Sequence, residues 1–278
     1  MDLKAPINNV AIHVVSSSPS MSESPICQKR IWCANENELT LQIEHIASYK
    51  IQDGTKVDVY PHPDSDADSI QLFLNGSVLG CILHQRKTLP FHGSSFFYKN
   101  KGVLISGNSG AGKSSVVAAF CSKEGLFVND DITPVYFNNG NVSIMPIKTK
   151  IKLWDDAINL LGIDRNALKT IRPLMEKYYV SEFAKQEVIN PILNTFILLR
   201  VHHESQFQQE RPEGILKFNY LRENIYRKIY LKGMPETEKY YFTQLIKMAN
   251  ILDVVVVYRP KFSNAIETME YIREHVLL

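Results

Sequence analysis

The stretch from Lys101 to Ser115 constrains this chain more than any other. Val103, Leu104 and Ile105 form an apolar run of the kind a buried strand needs. That run feeds directly into Gly107-Asn108-Ser109-Gly110-Ala111-Gly112-Lys113-Ser114, a complete G-x-x-x-x-G-K-S loop, and Val116, Val117 and Phe120 then recur at helical spacing. Strand, glycine-rich loop and helix in that order are what the motif requires before it signifies a phosphate site. Glycine lacks the Cβ that would hold backbone N–H groups away from an anion. The helix that follows points the positive end of its dipole at the same place. Lys113 is placed to reach β- and γ-phosphates, and the Ser114 hydroxyl is a hard oxygen ligand suited to Mg²⁺. The expected nucleotide-binding residues are therefore Gly107, Asn108, Ser109, Gly110, Ala111, Gly112, Lys113, Ser114 and Ser115, with ATP and Mg²⁺ as cofactors. A chance glycine-rich turn is the competing account, and both flanks argue against it.

Composition narrows the setting. The 278 residues suffice for one large domain or two small ones with a substantial core. Hydrophobic residues at 45% and charged residues at 22% are ordinary for a globular protein, and a net charge of +2 gives no reason to expect nucleic acid or an acidic membrane as partner. Cys27, Cys33, Cys81 and Cys121 lack C-x-x-C spacing, so free thiols are expected rather than a zinc site or a disulfide framework. Met1-Asp2-Leu3-Lys4 opens no signal-peptide apolar region, and Ile251 to Tyr258, interrupted by Asp253, is too short to cross a bilayer. A cytoplasmic protein without a membrane partner is the expectation.

Along the chain, Val10 to Val15, Leu39 to Ile46 and Lys56 to Tyr60 read as strands, and Ser16 to Pro25 as a mobile Ser/Pro-rich connection. Ile70 to Leu74 reads as a further strand, Asn75-Gly76 as a turn, and Ser77 as the cap of a short helix. A β-rich lobe over residues 1–75 followed by a nucleotide-binding catalytic domain over 76–278 is the expected division. Leu89 to Tyr98 should pair with the phosphate-loop strand through a turn at Lys99-Asn100. The loop's helix should run through Cys121, with Gly125 at its C′ position. Leu126 to Val128 is a strand ending in Asn129-Asp130-Asp131, and Asn138-Asn139-Gly140 marks a hairpin. Residues 155–180 read as mainly helical, broken at Pro173. Thr195 to Val201 and Val254 to Tyr258 read as strands; Tyr220 to Lys228, Glu236 to Asn250 and Ala265 to Val276 read as helices.

Asp130 and Asp131 end the strand after the loop's helix, where phosphoryl transfer needs carboxylates. One can hold a metal, directly or through water, and another can take a proton from an attacking hydroxyl. Alone, the pair would read as a solvated strand end; the phosphate loop tips the balance to function. Three elements in register, His92-Gly93, Gly102 to Ser114 and Val128-Asn129-Asp130-Asp131, resemble the catalytic domain of the HPr serine kinase/phosphorylase family at the family's spacings. Smaller relatives in peptide-modifying gene clusters, the lasso-peptide precursor kinases, resemble the chain more closely. Lys152-Leu153-Trp154 and Glu176-Lys177-Tyr178 resemble those relatives more weakly.

The resemblance implies an α/β phosphate-loop core of the HPr kinase and PEP carboxykinase type with a mixed central sheet. It implies Asp131 as the proton acceptor, Lys113 as the phosphate-binding lysine, Ser114 as an Mg²⁺ ligand and His92 near the transferred phosphate; Asp130 is a second metal candidate. His92 taken alone would read as structural. The implied acceptor is a serine on a peptide or small protein, such as the C-terminal serine of a precursor peptide; a homo-oligomer stays open. Ser115 replaces the acid that usually follows the motif in the bifunctional enzymes, and their dephosphorylation segments are not recognisable, so reverse activity is not implied. Asp155 and Asp156 lie near a further metal-binding position of the family, but the local pattern departs from it. Lys177, Arg200, Arg222, Arg227 and Arg259 are candidates to neutralise phosphate, although each alone reads as a surface cation. The alternative is a regulatory protein that binds or hydrolyses ATP without phosphorylating anything. A PEP-carboxykinase-like enzyme would need metal ligands and an oxaloacetate site that the sequence does not reveal.

Overall fold

A computed structural model describes the chain except residues 1, 2, 18, 148, 149, 172–175, 185–187, 189 and 190. Pro173, the expected helix break, lies outside the described residues. The chain forms two units, residues 1–90 with 225–244 and residues 91–224 with 245–278.

In the first unit, period-two patterning builds a six-stranded sheet. The strands are β1 (Ala11–Val14), β2 (Cys27–Gln28), β3 (Trp32–Ala34), β4 (Glu38–Ile43), β5 (Ala47–Gln52) and β6 (Lys56–Pro61), in the order β1-β6-β5-β4-β3-β2. Leu39, Leu41, Tyr49, Ile51, Val57 and Val59 share the core with a helical layer. That layer corrects the expected strand at Ile70 to Leu74. Asp66 caps helix α1 (Ala67–Phe73), its carboxylate accepting the Ser69 N–H at 2.7 Å. A π-helical turn (Leu74–Val78) replaces the expected turn at Asn75-Gly76 and leads into α2 (Leu79–Gln85). Ile70, Leu74, Val78, Cys81 and Ile82 recur at helical spacing and are fully buried, so periodicity overrides their strand-like content. Ser77 is buried within this run and accepts from Arg227 at 2.8 Å instead of capping a helix. A division at residues 75 and 76 therefore falls inside continuous helix.

The Ser/Pro-rich connection is tied down at Ser22. Glu38 accepts the Ser22 backbone N–H and hydroxyl, each at 2.7 Å, and pairs with Lys50 at 3.2 Å.

In the second unit, β7 (Leu89–Tyr98) and β8 (Lys101–Ser106) form the expected hairpin, Lys99 and Asn100 both taking positive φ in its turn. α3 (Lys113–Cys121) follows the loop. β9 (Leu126–Asn129), β10 (Ile132–Asn138) and β11 (Asn141–Ile144) come next. The helix ends at Ser122, and Gly125 has no positive φ; its role is closeness, since a Cβ there would lie 3.0 Å from the Phe120 backbone. β12 (Ile151–Trp154) runs into α4 (Asp155–Leu160). The helix begun at Asp155 stops there: Gly162 takes the left-handed region at φ 65°, and the Gly162 and Ile163 N–H groups donate back to the Asn159 and Ile158 carbonyls. β13 (Lys169–Thr170) and β14 (Lys177–Val180) then join β12 in a three-stranded sheet.

β15 (Leu193–His202), β16 (Gln208–Glu210) and α5 (Gly214–Glu223) follow; α5 ends before the expected Lys228, at the cap Asn224. α6 (Pro235–Ile251) begins in the first unit and ends in the second, where β17 (Asp253–Pro260) and α7 (Ala265–His275) complete the chain. The large sheet runs β11-β10-β7-β8-β15-β17-β16, with β9 also on β7. β8, β15 and β17 are parallel and β7 antiparallel to β8, the mixed sheet expected of this α/β fold. Val103, Ile105, Ile197, Leu199, Val255 and Val257 pack with α3 and α7 in one core, where Phe96 and Phe120 stack at 4.4 Å. The four cysteines are free thiols, and no helix among the described residues is long and apolar enough to cross a membrane.

The Glu38 network makes a pH-dependent contribution to stability. Burial opposes the Glu38 charge, but the Ser22 hydrogen bonds and Lys50 outweigh it and hold the carboxyl below its ordinary 4.5. A depressed folded value means that the contribution is complete above that point and is lost as pH falls through the folded value. Glu38→Gln should destabilise the fold near pH 7, and the gap to wild type should narrow as pH falls below the carboxyl's ordinary value. Thermal melts followed by circular dichroism check this; a gap independent of pH would contradict it.

Candidate active site

Close packing dictates the loop's entry. Gly107 sits at φ +142°, and a Cβ there would lie 2.3 Å from the Leu199 carbonyl oxygen on β15, so only glycine lets β8 leave the sheet at this angle. Gly110 and Gly112 also take positive φ, at 81° and 95°. Gly112 caps α3 without a side chain, which leaves the first N–H groups of the helix to an anion. Lys113 reaches back across the loop, its Nζ donating to Gly107 O at 2.8 Å and Asn108 O at 3.1 Å. Burial lowers the Lys113 pKa, with Lys177 adding to the effect and Asp131 and Asp130 opposing it. Arg259, near the end of β17, clamps the loop: its Nε donates to Ala111 O at 2.9 Å and its Nη1 to Ser263 O at 2.8 Å.

The two acids have different surroundings. Asp130 is 2% exposed, and its Oδ1 accepts from Ser94 Oγ at 2.6 Å and Ser114 Oγ at 2.7 Å. Its Oδ2 accepts the Lys152 backbone N–H at 2.9 Å. Asp131 occupies a turn in which the Ile132 N–H bonds Asp130 O at 2.9 Å and Asp131 itself takes φ +71°. A non-glycine residue reaches that γ-turn geometry at a cost in strain, and here the surroundings hold it. Its carbonyl oxygen accepts the Gly93 N–H at 3.2 Å and lies 3.1 Å from His92 Nδ1. Its carboxylate pairs with Lys152 Nζ at 3.0 Å and lies 3.7 Å from His92 Nδ1. The Asp131 side chain is 33% exposed, so Asp131 and not Asp130 can meet an incoming group.

Because a carbonyl can only accept, His92 carries its proton on Nδ1 and the lone pair on Nε2. Burial lowers the His92 pKa, and Lys113 adds to this against the opposing pull of Asp131 and Asp130, so the ring is neutral at neutral pH. For Lys152, burial disfavours the charge, but Asp131 and Asp130 together outweigh it and raise the pKa.

These groups line one cleft of about 480 Å³ in the second unit. His92, Ser109, Gly110, Gly112, Lys113, Ser114, Ser115, Asp130 and Asp131 lie on its wall, whereas Gly107, Asn108 and Ala111 form the loop behind. Of the candidate cations, Lys177 and Arg259 reach the cleft; Arg200, Arg222 and Arg227 are not among its lining residues. Arg200 instead stacks over Tyr220 at 4.9 Å. Asp155 pairs with Arg165 at 3.0 Å, while Asp156 lines the cleft. Two participants carried no assigned role in the sequence. Ser94 stands two residues from His92 on β7, a spacing that places both on one face. Lys152 belongs to β12, which is remote in sequence from both acids; its stretch Lys152-Leu153-Trp154 resembles the smaller relatives, but that resemblance gave Lys152 no role.

The donor set fits Mg²⁺: a buried carboxylate and an adjacent serine hydroxyl are hard oxygen ligands beside a phosphate loop. No cluster of three His, Cys, Asp or Glu able to hold a metal occurs among the described residues, so phosphate oxygens and water would complete its coordination.

No family model matches the chain, and no curated protein matches it. Among solved structures it is similar to the Hpr(Ser) kinase/phosphatase from Coxiella burnetii, at 14% identity and a TM-score of 0.35, covering 68% of this chain and 96% of that one. The class defined by the structure itself is an α/β phosphate-loop protein.

Lys113→Ala should weaken inorganic tripolyphosphate binding by about one to two orders of magnitude, because a charge-assisted contact is lost. Calorimetry on a variant that melts like wild type checks this; unchanged affinity would show that the loop is not an anion site.

Proposed function

We propose that this protein is an ATP- and Mg²⁺-dependent kinase that transfers a γ-phosphate to a serine hydroxyl of a peptide or small protein. The observation that carries the reading is the division between the two acids at the mouth of the phosphate loop. Asp130 is buried and clasped to Ser114, the position of a metal-holding acid. Asp131 is turned outward beside a neutral His92, the position of a proton acceptor.

Lys113, Ser114 and the α3 N-terminus would hold the phosphates, and bound Mg²⁺ would neutralise charge on the β- and γ-oxygens. Asp131 takes the proton of the serine hydroxyl as its oxygen forms the new bond to phosphorus. The bond from that phosphorus to the β-phosphate oxygen breaks, and ADP leaves with the electron pair. Lys152 fixes the Asp131 carboxylate, and the γ-turn fixes its backbone, so the acceptor is presented without rearrangement. The motif resemblance in three elements supports a serine as the acceptor, with the C-terminal serine of a precursor peptide as the leading case.

Asp131→Asn keeps the shape of the side chain and removes its basicity. Transfer should fall roughly 10²–10⁴-fold while ATP affinity stays near wild type, since the loop is untouched. The assay follows labelled γ-phosphate from ATP to peptides with internal and C-terminal serines, with affinity measured by calorimetry. If the wild type hydrolyses ATP but labels no peptide or lysate protein, the ATP-hydrolysing regulatory protein is the better reading. If Asp131→Asn loses ATP binding along with rate, Asp131 is a metal ligand rather than a base.

A further inference from the structure

We infer that the indole of Trp154 is the stacking platform for the base of the nucleotide whose phosphates the loop holds; the inference rests on reading that loop as a nucleotide site. β12 alternates, sending Ile151 and Leu153 into the core and Lys152 and Trp154 to the cleft. Trp154 is 50% exposed there. Apart from His92, it is the only aromatic side chain among the described residues lining the cleft. Burying an aromatic ring is strongly favourable, so one left half in water at a cleft wall has surface to offer a ligand.

The cleft offers both kinds of surface a nucleotide needs. His92, Lys113, Asp130, Asp131 and Lys152 supply charge and hydrogen bonding. Trp154 shares the lining with Val116, Ala157, Leu160 and Ala265, which are apolar. Trp154 and Lys152 stand on the same face of one strand, about 7 Å apart before side-chain reach is added. That spacing sets the ring apart from the acids that would meet the transferring phosphate. β12 also packs against α3, the helix whose N-terminus faces the phosphates, so ring and anion site share one support.

The ring is held in place. Lys177, its cross-strand partner on β14, puts its ammonium 5.3 Å from the ring centroid, within cation–π range. Trp154 also occupies the N-cap position of α4, so its backbone is fixed by the helix start.

The protein's two tryptophans make the test direct, because Trp32 lies buried in the first unit. In a full-length Trp32→Phe background, ATP with Mg²⁺ should quench Trp154 emission. Tripolyphosphate with Mg²⁺, shown by calorimetry to bind, should leave the emission near its starting level. If Trp32→Phe folds poorly, the difference in emission between wild type and Trp154→Phe gives the same readout. Trp154→Ala should weaken ATP roughly ten- to hundred-fold, Trp154→Phe should restore most of the affinity, and tripolyphosphate affinity should be unchanged in both. Undiminished ATP affinity in Trp154→Ala would overturn the inference. Equal quenching by tripolyphosphate would also overturn it, since the ring would then report only loop movement. If neither ligand binds the wild type, the reading of the loop itself fails, and the platform fails with it.

Discussion

One buried carboxylate joins the parts of this site. Asp130 accepts hydrogen bonds from Ser94 on β7, Ser114 at the start of α3 and the backbone of Lys152 on β12. A buried carboxylate without partners would be costly, whereas one with three short hydrogen bonds is held and in turn holds its donors. The phosphate-loop serine, the histidine strand and the lysine strand are thereby fixed to a common point. The rest of the site inherits its geometry from that point.

Asp131 depends on the same arrangement through its backbone. With Asp130 anchored, the chain must turn within a single residue to enter β10, and Asp131 takes the strain at φ +71°. His92 and Gly93 then hold the Asp131 carbonyl, and Lys152 holds its carboxylate. Lys152 thus touches both acids, one by its backbone and one by its side chain. That dual contact accounts for two adjacent aspartates facing different environments.

Much of this was legible in the sequence where the determinants are local. The phosphate loop, the β7–β8 hairpin and the strand ending in Asp130-Asp131 depend on glycines, turn residues and apolar runs within a few positions. The failures are also physical. Ile70 and Leu74 look like strand residues until the Asp66 cap and the helical spacing to Val78 and Ile82 are weighed together. The helix expected from residue 155 onward ends at Leu160, where a single left-handed glycine, Gly162, turns the chain. No site role for Lys152 was legible, although its stretch resembled the smaller relatives, because its partners lie 21 and 22 positions away. Ser94 needed only the observation that it shares a face with His92.

The central claim is that the two acids divide the work, Asp130 toward the metal and Asp131 toward the acceptor hydroxyl. A crystal structure with Mg²⁺ and a non-hydrolysable ATP analogue tests it most directly. The account predicts the triphosphate in the Gly107 to Ser115 loop, Mg²⁺ on Ser114 with Asp130 at its side, and the Asp131 carboxylate facing the solvent side of the γ-phosphate without touching the metal. An analogue outside the loop, or Mg²⁺ bound directly by Asp131, would contradict it.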